Sequence, residues 1–412
     1  MGAAIGSAIA RDALGQVGRS VDSPLSAESG IAPSPRWNAP GPLVVLPQKV
    51  PLIQLTDRPV QLETPRHYFA ASLTPSAAFF VRWHLPIHPR SVDLGAFRLR
   101  IAGHVQRPQE LRFSDLLREF KPQTVVAVCQ CAGNSRSRFS PRVPGTQWGH
   151  GAMGCAEWTG VRLRDLLQRA GLQVGAVAVQ LAGLDRGAGP AGYGSAAYLK
   201  SLAMDSDMLD EAIVAYSMNG EPLPLLNGFP LRVVVPGYFA TYWVKALSQI
   251  RVLPSADDSY WMQTAYRIPA TPDGSTTPEA MQKGSVTWVP VGRMPVRSFV
   301  VSPIGDSAGK LPVGLPITVR GQAFSGHDRI TRVELSTDDG HTWSAATLGD
   351  DLGRYAFRAF TARFTPRQPG RVVLCVRATD AKGHRQGDVA IWNPGGYQWH
   401  RIERQEVSIG AT

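Results

Sequence analysis

The chain has 412 residues, 43% hydrophobic and 18% charged, with 43 Lys+Arg against 32 Asp+Glu and a formal net charge of +11. That length suits two or three domains with cores of their own, and the hydrophobic content excludes wholesale disorder. No apolar run approaches the ~18 residues of a helical membrane span. The basic excess calls for anionic partners, but only seven of the bases are lysines. No basic run of five occurs, which speaks against nucleic acid, whereas arginine forks suit small oxyanions.

In chain order, Met1–Ala10 is small and apolar and reads as the end of an export signal's hydrophobic segment, without the charged region that would precede it. Residues 11–65 are rich in Pro, Ser and Gly, so 1–65 is expected to be an arm that lies over a domain or is partly disordered. Phe97–Ile101 alternates as a strand ending at Gly103, and Ser114–Glu119 reads as a helix capped by Ser114. Thr124–Cys129 is a buried strand running into a turn at Cys131–Asn134. Thr159–Gln168 reads as a helix closed at Gly171, Ala212–Tyr216 as a strand before an Asn219-Gly220 turn, and Leu231–Val235 as another buried strand. Strands mixed with short helices give an α+β domain over 66–294. After Met294, short strands with turn signals, among them Asp339-Gly340, indicate an immunoglobulin-like β-sandwich over 295–412.

The sharpest chemical signal is Cys129-Gln-Cys131-Ala-Gly-Asn-Ser-Arg136. A buried strand ends in a thiol, Gly133 permits a close backbone approach, and Arg136 brings the positive charge that favours a thiolate. From residue chemistry alone three roles stand in order: buried structural cysteine, catalytic Cys–His nucleophile, soft-metal ligand. The four cysteines are too few for a disulfide scaffold, and there is no C-x-x-C-H for covalent haem.

This segment, with Phe79–Pro86, Trp148–Leu167, Ala215–Pro224 and Gly228–Gly237, resembles the sulfite oxidase family of molybdenum enzymes from about Leu62 to Val407. The resemblance implies a mixed α/β molybdopterin-binding domain followed by that family's dimerisation sandwich, a molybdenum–molybdopterin cofactor and no haem on this chain. It makes Cys131 the thiolate ligand of molybdenum and Cys129 a structural neighbour. Arg82 and Arg136 become the anion-pocket arginines, His84 a histidine beside the site, and Tyr266 the active-site tyrosine. Arg358 becomes a third substrate arginine reaching in from the sandwich. Arg232 and Lys245 would hold the pterin phosphate, Asn227 would contact the pterin where animal members carry histidine, and Trp148 would line the pocket. His104, His150, His327 and His400 receive no role.

The implied activity is oxidation of sulfite to sulfate, with electrons passing to a c-type cytochrome or separate haem subunit, in a periplasmic protein that forms a homodimer. The alternatives are another sulfur oxyanion or carrier-bound sulfur, nitrate reduction (disfavoured by Arg358), and, ranked last, a non-catalytic binding protein.

Overall fold

A computed structural model describes residues 43–44, 46, 48–188, 197–305, 309–389 and 391–410. The reading of Met1–Ala10 and of most of the arm lies outside these residues. The arm's last part is not loose: Leu52–Asp57 and Val60–Glu63 form a hairpin, flanked by Leu43–Val44 and Val81–Arg82 in a four-stranded sheet. Leu52 and Leu62 are fully buried there against Val81 and Trp83. Prolines at the ends of this segment hide from a composition count the alternation that makes it a strand pair.

Two five-stranded sheets make up the large domain. One runs Leu199–Ala203, Ala178–Gly183, Leu247–Leu253, Arg98–Gly103, Gln109–Arg112, with a parallel pairing between the third and fourth. The other runs Glu221–Pro222, Ile213–Met218, Met153–Arg162, Pro122–Gln130, and Arg232–Val234 joins it on Ile213–Met218. The expected strands at 97–101, 124–129, 212–216 and 231–235 are all present. Two expected helix starts shift. The first helix is Phe113–Glu119, with the Arg112 N–H bonded to Asp115 at 2.9 Å, so Ser114 lies inside the first turn rather than capping it. Thr159–Arg162 belongs to a strand, and the helix begins at Leu163. Pairing on both edges, to Pro122–Gln130 and to Ile213–Met218, overrides helical periodicity there.

The strands of residues 297–410 form a two-sheet sandwich. One sheet orders Arg297–Ser302, Ile317–Phe324, Arg358–Phe364 and Thr347–Leu348; the other holds Ile330–Ser336, Gly370–Asp380 and Arg404–Gly410. Val319, Leu335, Phe360, Leu374 and Val376 fill the space between them. Asp339 and Gly340 have φ of 59° and 91°, the left-handed pair that a tight hairpin turn requires.

The sandwich is fixed to the large domain by apolar and ionic contacts. Phe69 meets Phe299 and Phe357 edge-on, with ring centroids 5.6 and 6.0 Å apart. The Val128 N–H donates to the Tyr355 carbonyl (2.9 Å), on the strand that carries the cysteines. Beneath the cysteine turn, buried Glu403 pairs with Arg66 and with His150 Nε2 (2.7 Å), and buried Arg297 donates to Ser135 Oγ (2.8 Å).

Candidate active site

Cys131 follows the end of Pro122–Gln130, one arm of a long hairpin with Met153–Arg162. Gly154 sits opposite Cys129, and a Cβ there would lie 2.5 Å from the Phe79 ring, so the strand can pack on Phe79 only with glycine. The turn is closed by main-chain bonds. The Asn134 N–H donates to Cys131 O (3.0 Å) and the Arg136 N–H to Gly133 O (3.1 Å), while Asn134 Oδ1 accepts from Ala152 N–H (3.0 Å). A Cβ on Gly133 would fall 2.5 Å from the Arg136 guanidinium, so this glycine makes room for the arginine beside the thiol. All four cysteines are free thiols.

Two adjoining cavities meet at Cys131. The inner one is lined by Phe80, Arg82, His84, Cys131, Arg232, Thr241, Lys245 and Tyr266. The outer one, of about 330 Å³, is lined by Arg82, Cys131, Arg136, Trp148, Tyr266 and Tyr397 together with the loops at 144–146 and 394–395. Arg82, Cys131 and Tyr266 face both. The thiol thus stands between a cationic inner slot and an arginine-bearing outer chamber.

Charge in the inner slot is strongly unbalanced. Arg232 is buried between the Trp158 and Trp243 rings, 5.2 and 5.7 Å from their centroids, and donates to Asn227 O (3.1 Å) and Cys129 Sγ (3.0 Å). Burial lowers its pKa and raises that of the Cys129 thiol. Lys245 donates to the Arg82 carbonyl and lies over Trp83. Burial, then Arg232, lowers Lys245 to about 7 and does the same to Lys49 behind the slot. Arg82 Nη1 and Arg232 Nε are buried without a protein hydrogen-bond partner. Asp185, which acts on Lys245, is itself held above the ordinary carboxylate range by burial. Buried cations with open donors are costly, and part of that cost shows as the lowered lysine pKa values; an anion that completes the site offsets it, so the residues present fit a phosphate-bearing cofactor.

Aromatic rings build the wall at His84. His84 stacks on Tyr198 with ring centroids 3.5 Å apart, and its Nε2 lies 2.5 Å from Tyr266 Oη. Burial, then Arg82, puts the His84 pKa far below its ordinary value, and burial raises that of Tyr266. Both are therefore neutral around pH 7. Tyr266 adopts a φ of 58°, a costly conformation for a bulky residue that turns its ring into the cavity.

Arg136 is 8% exposed. Its Nε and Nη2 donate to the Gly395 carbonyl (3.3 and 3.0 Å) and Nη1 to Thr146 O (3.1 Å). Guanidinium has five N–H groups, so one remains on each terminal nitrogen, beside the outer chamber.

The structure thus brings together Arg82, His84, Cys131, Arg136, Arg232, Lys245 and Tyr266, with Trp148 in the outer wall. Two expectations are corrected. Arg358 lines neither cavity; it lies on a sandwich strand 3.4 Å from Asp351. Its neighbour Phe357 is the inward residue, buried against Phe69 and Phe299, and successive side chains alternate between faces. Asn227 contacts no cavity either: its Oδ1 accepts from Lys49 and its Nδ2 donates to Phe80 O (3.0 Å). It braces the slot from behind. The sandwich contributes Pro394, Gly395 and Tyr397 instead, and Tyr198 supports His84. Nothing in the Asn393–Tyr397 string identifies it as a cavity wall.

Residues 84–261 match the model of the oxidoreductase molybdopterin binding domain, and residues 289–406 that of the Mo-co oxidoreductase dimerisation domain. The chain is 36% identical to sulfite oxidase of Gallus gallus over 369 residues, 84% of this chain and 76% of that one. It is 31% identical to mitochondrial sulfite oxidase of Homo sapiens over 92% of this chain and 70% of that one. With the NADH nitrate reductase of Solanum lycopersicum it shares 30% identity, over 85% of this chain and 41% of that one. The crystal structure of the sulfane dehydrogenase SoxCD from Paracoccus pantotrophus has the same fold, with a TM-score of 0.73 at 24% identity, covering 95% of this chain and 97% of that one.

Proposed function

The chain belongs to the sulfite oxidase family of molybdenum cofactor-dependent oxidoreductases, and from that premise we propose that it oxidises sulfite to sulfate and passes the electrons to a c-type cytochrome. The observation that carries this reading is the pairing of Arg82 and Arg136 across a chamber that opens onto Cys131. When bound, a molybdenum centre would supply oxygen-atom transfer to sulfur and take up two electrons.

Cys131 would hold the metal, and Arg232 and Lys245 the cofactor phosphate. The two open N–H groups of Arg136, with the positive charge of Arg82 on the chamber wall, would bind the substrate oxygens in a partly desolvated chamber, where charge-assisted bonds are strongest. Neutral His84 fixes the Tyr266 hydroxyl, which stays protonated; in the tautomer whose Nε2 carries the hydrogen, His84 donates to Tyr266 Oη and leaves the hydroxyl hydrogen for the chamber. Trp148 and Tyr397 exclude water from one side. Among the described residues no carboxylate lines either cavity, which suits an anionic substrate whose sulfur lone pair needs no base.

A second reading rests on the chamber's size. About 330 Å³ is more than twenty times the ~10–15 Å³ that suffices to admit one water, more room than sulfite fills. A larger sulfur oxyanion or carrier-bound sulfur would use it, and with Arg358 outside the site no sandwich arginine selects against nitrate. Steady-state assays with sulfite, thiosulfate and nitrate against cytochrome c and a dye acceptor separate these. Sulfite-dependent cytochrome reduction is expected; activity with nitrate or carrier-bound sulfur alone would replace the reading. We further propose a periplasmic homodimer, the dimer supported by the dimerisation-domain match.

A further inference from the structure

The Pro394–Tyr397 segment of the sandwich does more than close the outer chamber. Tyr397 stacks on Tyr266 with ring centroids 5.3 Å apart and planes inclined by 23°. The ring also meets the Arg136 guanidinium, 5.3 Å from its centroid, and the Tyr397 hydroxyl is hydrogen-bonded to the Tyr266 main chain. The Gly395 carbonyl accepts two of the Arg136 N–H groups. The approach depends on glycine at the next position: Gly396 has φ of 59°, and a Cβ there would lie 2.7 Å from Arg136 Nε. One short loop therefore grips both the arginine and the tyrosine that face the substrate, while the Tyr397 ring borders the chamber.

The geometry points to Tyr397 as a positioning residue that sets affinity for the oxyanion: its ring fixes Arg136 through a cation–π contact and Tyr266 by stacking. This rests on the reading of the outer chamber as the substrate site. A desolvated cation–π contact, when lost, changes an equilibrium by about tenfold or more. The ring, not the hydroxyl, is what the proposal requires, so phenylalanine is the conservative replacement.

The experiment compares Tyr397→Leu, Tyr397→Phe and the wild-type holoenzyme, each with matched molybdenum content and melting temperature. Sulfate affinity is measured by calorimetry and sulfite kinetics by cytochrome reduction. Tyr397→Leu is expected to weaken sulfate about tenfold and raise KM for sulfite similarly, with kcat changed less than threefold. Tyr397→Phe is expected to hold sulfate within about twofold of wild type. Unchanged sulfate affinity in Tyr397→Leu, or equal losses in both variants, overturns the proposal. Wild type that binds sulfate with the expected variant pattern but does not oxidise sulfite sinks the sulfite reading and leaves the positioning role standing.

Discussion

Replacing Arg136 by alanine removes one charge and two open N–H groups from the outer chamber. Three of its five donors are spent on Gly395 and Thr146, so only the remaining two can reach a substrate. Hydrogen bonds from a charged group contribute about 1.5–3 kcal/mol each. Two at the lower end give about 3 kcal/mol, on the order of a hundredfold in KM. Arg136→Lys keeps the charge and can restore one bond, for about a tenfold rise. Because Arg136 does not line the inner slot, cofactor content should hold. Steady-state sulfite oxidation with molybdenum determined on the same samples tests this. A KM unchanged within twofold in Arg136→Ala would refute the substrate role, and loss of the metal along with activity would move Arg136 to the cofactor side.

Arg358→Ala should leave kcat/KM within twofold, since Arg358 faces Asp351; a tenfold rise in KM would show that it reaches the substrate after all. Arg232→Ala should lower the molybdenum-to-protein ratio below about half, read by metal analysis, because the buried guanidinium is the inner slot's best-held cation. The cluster beneath the cysteine turn predicts acid sensitivity in two steps. Burial holds His150 at about 4 in the fold, below its ordinary 6.5, so the unfolded chain binds the proton first and stability falls as pH drops from about 6.5 to 4. Burial opposes ionisation of Glu403, but Arg66, His150 and Arg297 together hold its pKa well below the ordinary carboxylate range. Its contribution is complete above about pH 4.5 and is lost at lower pH, as pH falls toward the folded pKa. Urea unfolding should therefore show Glu403→Gln destabilised by roughly 3–5 kcal/mol at pH 7, the cost of breaking a buried pair, with the gap closing below pH 4. A gap independent of pH would mean that the carboxylate's charge is not what matters.

The fold was legible wherever local pattern and tertiary pairing agree. The β-branched run before Cys129 became a strand, and the Asn219-Gly220 turn has both residues at positive φ. It was misread where pairing overrides local preference, as at Thr159–Arg162, or where proline masks alternation, as at Leu52–Glu63. Most of the site was legible because Cys131, Arg136 and Arg82 lie in compact motifs. Arg358 and Asn227 were misplaced because similarity at a position does not say which face of a strand, or which side of a slot, a side chain occupies. Tyr397 was missed because its role arises only when the sandwich docks on the large domain.

In the proposed function Cys131 holds a molybdenum centre that would take two electrons from sulfite. Titrating the oxidised, purified protein with sulfite under anaerobic conditions, while following the thiolate-to-molybdenum absorption, tests it directly. About one equivalent of sulfite per molybdenum should bleach the band and yield sulfate, and Cys131→Ser should lack the band. A molybdenum-loaded protein whose spectrum sulfite leaves unchanged would contradict it.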